Sequence, residues 1–365
     1  MTEIFATMGP SCSTEDVFLA MLREGLTGIR LNLSHTSIPE SHDKIAAYRS
    51  ACEKAGCPAE IMIDLHGPEQ RIGWLKKRLT LAPGDPVILK SRRTGETLPV
   101  VTASPCFLDA LCVGDEILIH DGMVRLRVTE QLPSLYARKG EVPLRAEEEA
   151  LPAEDTEDRP GETLRRFLCE TVNGGTVASM QSIKIVGKEV YGSVVTDADR
   201  ENLDLAAENG ITCVMQPFVR SAEDVRAVRE ALRERGLQCR IFAKIESLTG
   251  VEHLSDILRE ADVIVIARGD LGNAVPLWDL PGVQKRIARA CRTAGRPFMV
   301  VTQMLDSMTA RPVPTRAEVS DIFNAVLDGA ACVMVTGETS VGRYPVEVVR
   351  YLTRTVRSAE AYMKE

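Results

Sequence analysis

The chain contains no run approaching the ~18 apolar residues that a membrane-crossing helix requires, which excludes an integral helical membrane protein. Its first residues, MTEIFATMGPSC, hold no basic segment followed by an apolar one, so no secretion signal is visible. Positive charge is in deficit: 44 Lys and Arg face 52 Asp and Glu, for a formal charge of −8 and a pI near 5.4. That balance argues against a nucleic-acid backbone or an anionic membrane surface as the main partner. C-x-x-C is absent despite ten cysteines, and the five histidines do not join them at zinc-ligand spacing. Cys213 in ITCVM and Cys332 in AACVMV sit inside apolar runs, where a free cysteine behaves as a small buried hydrophobe. Reduced structural cysteines and a cytoplasmic location are therefore expected. Neither a P-loop nor a kinase H-R-D set occurs, so the common nucleotide folds are excluded. What is present is 44% hydrophobic and 26% charged residues over 365 positions, a globular composition large enough for one big domain or two. An enzyme is the simplest reading.

Short β-branched runs alternate with stretches of helical period, the pattern of an α/β architecture with a parallel sheet. Eight such runs cover residues 3–9, 28–34, 60–65, 212–218, 240–246, 262–269, 298–304 and 331–338. Between the later ones lie amphipathic helices such as SAEDVRAVREALRERG, with Ser221 as its start and Gly236 as its stop. Eight strand–helix units predict a closed (β/α)8 TIM barrel rather than an open sheet. The rhythm breaks after the third run. There, turn signals (APGD, VGD, HDG, NGG) separate the alternating runs VILK, EILIH and MVRLRV, which reads as a small all-β domain inserted at 68–191. The barrel would then comprise 1–67 and 192–365. Within the insert, RAEEEALPAEDTEDRPGE at 145–162 is acidic, proline-bearing and free of strand pattern, so a solvated loop is expected.

Barrel enzymes place their chemistry at the C-terminal ends of the strands, and those ends are unusually polar here. Arg30, Asn32 and Ser34 alternate on the second run, and Asp64 ends the third. Lys244 and Glu246 share a face of the fifth, Arg268 and Asp270 close the sixth, Thr302 and Gln303 end the seventh, and Thr336 and Glu338 end the eighth. Glu246 and Asp270 are hard oxygen donors of the kind magnesium takes when substrate oxygens and water complete its shell. Lys244 sets an ammonium beside them, and Arg30 adds a fork of donors suited to phosphate. Asn32, Ser34 and Asp64 supply further oxygens suited to a monovalent cation. Metal, lysine and arginine around one point are what phosphoryl transfer needs, because that reaction depends on positioning and charge neutralisation.

These residues lie in stretches that resemble the pyruvate kinase family: ATMGPSC, GIRLNLSH, IDLHGPEQRIG, AKIES, ARGDLG, TQMLDSM, PTRAEVSDIFNAVLDG and VTGETSVGRYPVE, in the family's order over nearly the whole chain. The resemblance implies a (β/α)8 barrel with a β lid. It also implies transfer of a phosphoryl group from phosphoenolpyruvate to ADP, giving pyruvate and ATP, with magnesium or manganese and potassium as cofactors. Carried over, Glu246 and Asp270 hold the divalent metal, Lys244 stabilises the group in flight, and Arg30 grips the phosphate. The amides of Gly269 and Asp270 with the Thr302 hydroxyl bind the carboxylate. Asn32, Ser34, Asp64 and the Leu65 carbonyl bind potassium; His35 and Arg71 lie on the nucleotide phosphates. Thr302, Thr336 and Glu338 lie where the enolpyruvate is protonated. Plainer roles stand beside some of these: a turn cap for His35, a salt bridge for Arg71, and hydrogen bonds at the barrel top for Thr336 and Glu338.

The family's C-terminal allosteric domain has no counterpart in the sequence, so a homodimer or monomer rather than a tetramer is expected. Three departures fall on the phosphate and nucleotide side. Pro217 replaces a serine, Ala198 replaces a lysine, and a lysine-bearing run becomes MQSIKIVGKEVYG, where Lys184 and Lys188 are the available substitutes. Three readings follow: a working pyruvate kinase, a related enzyme with another phosphoryl acceptor or oxo acid, and a non-catalytic binding protein.

Overall fold

The computed structural model describes residues 1–91, 98–120, 122–136 and 163–365. The acidic stretch at 145–162 lies outside the described residues. The chain forms two compact units, Met1–Pro68 with Ser193–Glu365, and Glu69–Gly192.

In the first unit eight parallel strands close into a barrel: β1 (Glu3–Thr7), β2 (Gly28–Asn32), β3 (Glu60–Asp64), β4 (Cys213–Gln216), β5 (Arg240–Ile245), β6 (Val263–Ala267), β7 (Phe298–Val301) and β8 (Cys332–Met334). Each pairs with the next in sequence, and β8 returns to β1 through Glu3 opposite Cys332. Strands covered on both faces must be apolar on both, which is why β6 (VIVIA) and β7 (FMVV) are continuous hydrophobic runs. Phe5, Met62, Met215, Phe242, Val265 and Met299 fill the barrel, while Ile4, Ile29, Ile63, Val214, Ile264 and Val300 face the helices outside. The helix Ala222–Glu234 starts where Ser221 accepts from the Asp224 N–H and stops before Gly236, whose φ of 66° few other residues adopt.

Several strands end earlier than their hydrophobic runs. β4 stops before Phe218, β6 gives way to the helix Arg268–Ala274, β7 stops before Thr302, and β8 stops before the helix Gly337–Ser340. The polar residues expected on strand ends therefore sit just past them, in turns and short helices. Phe218, Thr302 and Gln303 have φ of 49°, 79° and 54°, a left-handed geometry incompatible with extended chain.

The second unit carries a six-stranded sheet in the order Ile183–Ile185, Glu116–Ile119, Val124–Tyr136, Thr163–Asn173, Pro86–Lys90 and Val100–Thr102, with Leu79–Leu81 and Gly175–Val177 paired separately. Phe107, on the helix Pro105–Ala110, packs with Val87, Ile117, Phe167 and Ile183 in its own core. All ten cysteines are free, and burial pushes the Cys213 thiol up to about 12. No helix among the described residues is long and apolar enough to cross a membrane.

Asp199 fastens the turn after β3. Its buried carboxylate accepts from the His66 N–H at 2.7 Å and the Gly67 N–H at 3.1 Å, while also capping its own helix through Thr196. Replacing it removes the acceptor of four donors, the buried Gly67 N–H among them. Asp199→Ala is expected to lower the unfolding free energy by ~2–4 kcal/mol, read as a shift in urea midpoint. A midpoint within error of the parent would show that water replaces the carboxylate without loss.

Candidate active site

Side-chain alternation along the barrel strands lifts a charged layer above the apolar interior. Arg30 on β2 is in register with Met62 on β3, and Asn32 one step higher is in register with Asp64. Gly28, below Arg30 on the same face, leaves room for the Phe5 ring: a Cβ there would lie 2.3 Å from the ring edge. On β5, Lys244 follows Phe242 inward, and Glu246 comes directly after the strand.

Four charged side chains meet in this layer. Lys244 Nζ lies 3.0 Å from Glu246 Oε1 and 3.6 Å from Asp64 Oδ2. Arg30 donates to Asp64 Oδ2 from Nε at 2.9 Å and Nη2 at 2.5 Å, and to Thr7 Oγ1 from Nη1 at 3.2 Å. Those bonds occupy three of five guanidinium N–H groups, so two remain for a substrate anion. Burial alone would drive Lys244 toward neutrality, but the Asp64 and Glu246 carboxylates outweigh it and hold the ammonium above its ordinary range. Burial has the opposite outcome at Glu246. It pushes that carboxyl up to about 7, reinforced by Asp270 and resisted by Lys244 and by the Phe218 N–H, which donates to Oε2 at 2.8 Å.

The donor set fits two cations. A second carboxylate that raises Glu246 is a site one positive charge short, and a divalent ion between Glu246 and Asp270 relieves that repulsion. Among the described residues no cluster of three or more His, Cys, Asp or Glu is placed to hold a metal, so an ion between Glu246 and Asp270 would need further oxygens from outside the protein. Asp64 Oδ1 is buried with no hydrogen-bond partner, an orphan that a monovalent cation would satisfy. Beside it the Ser34 N–H donates to Asn32 Oδ1 at 3.2 Å, and the Leu33 N–H donates to the Asp64 carbonyl at 3.0 Å, which brings the residues proposed for potassium onto adjoining strand ends.

Gly269 and Asp270 open the helix after β6, and a Cβ on Gly269 would lie 3.3 Å from Thr302 Cγ2, so the amides and the threonine are neighbours. Glu338 is braced differently. Its oxygens accept from the Leu305 N–H at 3.2 Å and the Thr336 N–H at 2.6 Å, tying the turns after β7 and β8 together. That is the plainer role for the Thr336–Glu338 pair. His35 is exposed on the turn whose N–H donates to the Asn32 carbonyl. Arg71 belongs to the second unit, where it donates to Glu69 at 2.6 Å and to the Met180 carbonyl at 2.9 Å. Lys184 lies 4.0 Å from Glu69, and Lys188 pairs with Asp115 at 2.7 Å.

The substituted positions have local explanations. Pro217 fills the space over Gly67, where a Cβ would come within 2.3 Å of its ring. Ala198 is exposed, and the adjacent Asp199 carries the anchoring. Sequence reasoning missed Thr7, Asp199, the Phe218 N–H and the grip of Arg268 on the β7 turn. Only Asp199 left a signal, the T-x-x-D capping pattern at Thr196.

The model of the pyruvate kinase barrel domain matches residues 1–147 and 158–349. The chain belongs to the pyruvate kinase family. It is 34% identical over 363 residues to pyruvate kinase 2 of Trypanosoma brucei brucei, covering 98% of this chain and 67% of that one. It is 33% identical over 364 residues to the pyruvate kinase of Agrobacterium vitis, covering 99% and 68%. A crystal structure of a pyruvate kinase from Cryptosporidium parvum superposes with a TM-score of 0.79 at 28% identity, over 99% of this chain and 69% of its own. The match to the family thus extends over the barrel, the inserted unit and every site residue named above.

A raised Glu246 predicts how metal affinity depends on pH. The carboxyl binds a proton more tightly folded than unfolded, so its contribution favours the metal-free fold at low pH and is lost as pH rises through about 7. A magnesium ion held by Glu246 would have to displace that proton. Its affinity for the free protein is expected to weaken about tenfold per pH unit below 7, measured by calorimetry, and to level off above. A flat affinity from pH 5.5 to 7.5 would contradict this.

Proposed function

We propose that the protein transfers the phosphoryl group of phosphoenolpyruvate to ADP, giving pyruvate and ATP. The observation that carries this reading is Lys244, kept protonated between Asp64 and Glu246 in a buried layer that also contains Arg30. A binding protein has no use for a desolvated cation there; transferring phosphoryl oxygens do.

Arg30 directs its two remaining N–H groups to the substrate phosphate. Lys244 follows the charge as the phosphoryl group leaves the enol oxygen. Glu246 and Asp270 would hold a divalent cation, which when bound would neutralise charge on the phosphoryl oxygens. The amides of Gly269 and Asp270 and the Thr302 hydroxyl orient the carboxylate, and Thr302 with Thr336 and Glu338 lies on the side where enolpyruvate takes its proton. Asp64, Asn32, Ser34 and the Leu65 carbonyl hold potassium, while His35 and Arg71 serve the nucleotide. A second acceptor or oxo acid is the alternative that Pro217 favours, because proline offers neither hydroxyl nor N–H where the family has serine. A coupled assay with phosphoenolpyruvate and a panel of nucleoside diphosphates separates the two.

Lys244→Met keeps length and removes charge. Turnover is expected to fall ~100–1,000-fold, while magnesium-dependent oxalate binding persists. Without magnesium the variant should also melt at lower temperature than the parent, since Asp64 and Glu246 lose their shared partner. Parent-like phosphoryl transfer by the variant would overturn the assignment.

The potassium assignment has its own check. Activity should rise when potassium replaces a bulky organic cation, and Asp64→Asn should blunt that response by removing the negative charge that the orphan oxygen shares. Full activity in potassium-free buffer would remove potassium from the reading.

A further inference from the structure

We propose that Arg268 is a positioning residue that locks the two halves of the carboxylate cradle together; this rests on the reading of Gly269, Asp270 and Thr302 as that cradle. The halves sit on different strands. β6 and β7 are in register only as far as Ala267 opposite Val301, so past that pair the strand ladder no longer sets how Gly269 stands against Thr302. Both halves depart at that point, one into a helix and the other into a left-handed turn.

The turn is strained. Thr302 and Gln303 take φ of 79° and 54° in succession, and Thr302 is β-branched, for which this region is a genuine outlier. Such a conformation persists only where neighbours over-determine it. Arg268 does so. Its Nη2 and Nε donate to the Thr302 carbonyl at 2.6 and 3.1 Å, and Nη2 reaches the Gln303 carbonyl at 3.3 Å. The opposite edge of the guanidinium is pinned by Nη1 to Asp321 Oδ2 at 2.6 Å, from the helix Arg316–Leu327. The side chain is only 12% exposed, so the fork has little freedom to swing away. Arg268 is also the residue directly before Gly269. One rigid side chain therefore spans from the peptide that supplies the amides to the carbonyl of the residue that supplies the hydroxyl. A lysine ammonium cannot hold the turn carbonyls and Asp321 at once.

The test compares the parent, Arg268→Lys, and Arg268→Lys combined with Gln303→Gly. Steady-state kinetics read KM for phosphoenolpyruvate and kcat; calorimetry with magnesium reads oxalate binding. Arg268→Lys is expected to raise the phosphoenolpyruvate KM and the oxalate Kd by about 10- to 100-fold, with a smaller fall in kcat and an unchanged KM for ADP. Glycine accepts positive φ without strain, so Gln303→Gly in the lysine background should recover part of the oxalate affinity. A general loss of stability would lower kcat and the melting temperature together and would not be repaired by glycine at 303. An unchanged oxalate Kd in Arg268→Lys, or a loss that glycine leaves untouched, overturns the proposal alone. A parent that neither turns over phosphoenolpyruvate nor binds oxalate overturns the cradle reading and the proposal with it.

Discussion

The ammonium of Lys244, held between the Asp64 and Glu246 carboxylates, is the interaction on which the upper barrel depends. Moving each ion out of water costs several kcal/mol, which close partners must offset. Those partners come from β3, β5 and the turn after β5, so the barrel has to close before the charges are satisfied. Arg30 from β2 adds a second cation to Asp64, and Asp270 adds a second anion near Glu246. The balance is deliberately incomplete in chemical terms: one carboxylate oxygen is orphaned and one carboxyl is pushed toward protonation. A cation bound there would remove both unfavourable terms.

Rigidity under this layer comes from apolar packing. Phe5 and Phe242 meet edge to face at 5.9 Å inside the barrel, with methionines from several strands around them. Above it the strands give way to left-handed residues at Phe218, Thr302 and Gln303, each turning a backbone group toward a specific partner. In the barrel unit the positive-φ non-glycine residues thus lie past the strand ends, over a floor too densely packed to yield.

One residue read as a departure from the family, Pro217, lies at this rim. Pro217 shapes the turn whose next N–H donates to Glu246, and it closes over Gly67, whose own N–H is held by Asp199. A change at Pro217 is therefore mechanically joined to Glu246 through one turn.

Sequence alone determined the barrel, because eight apolar runs at helix-length intervals admit few other closures, and turn residues with period-two alternation marked where that rhythm breaks. It also named Arg30, Asp64, Lys244, Glu246 and Asp270, since charges in apolar runs demand partners and inward alternation says which ones share a face. Tertiary structure decided the rest. The assignment of Glu338 to bracing Leu305 and Thr336, the grip of Arg268 on a strained turn, and the anchoring of His66 and Gly67 by Asp199 from 132 or 133 residues away are contacts between elements. Strand lengths at the barrel mouth belong to the same class: hydrophobic runs continue past the point where the backbone turns left-handed. Periodicity reports which side of a strand a residue occupies, whereas these contacts depend on how separate turns meet once the barrel has closed, and no local pattern carries that distance.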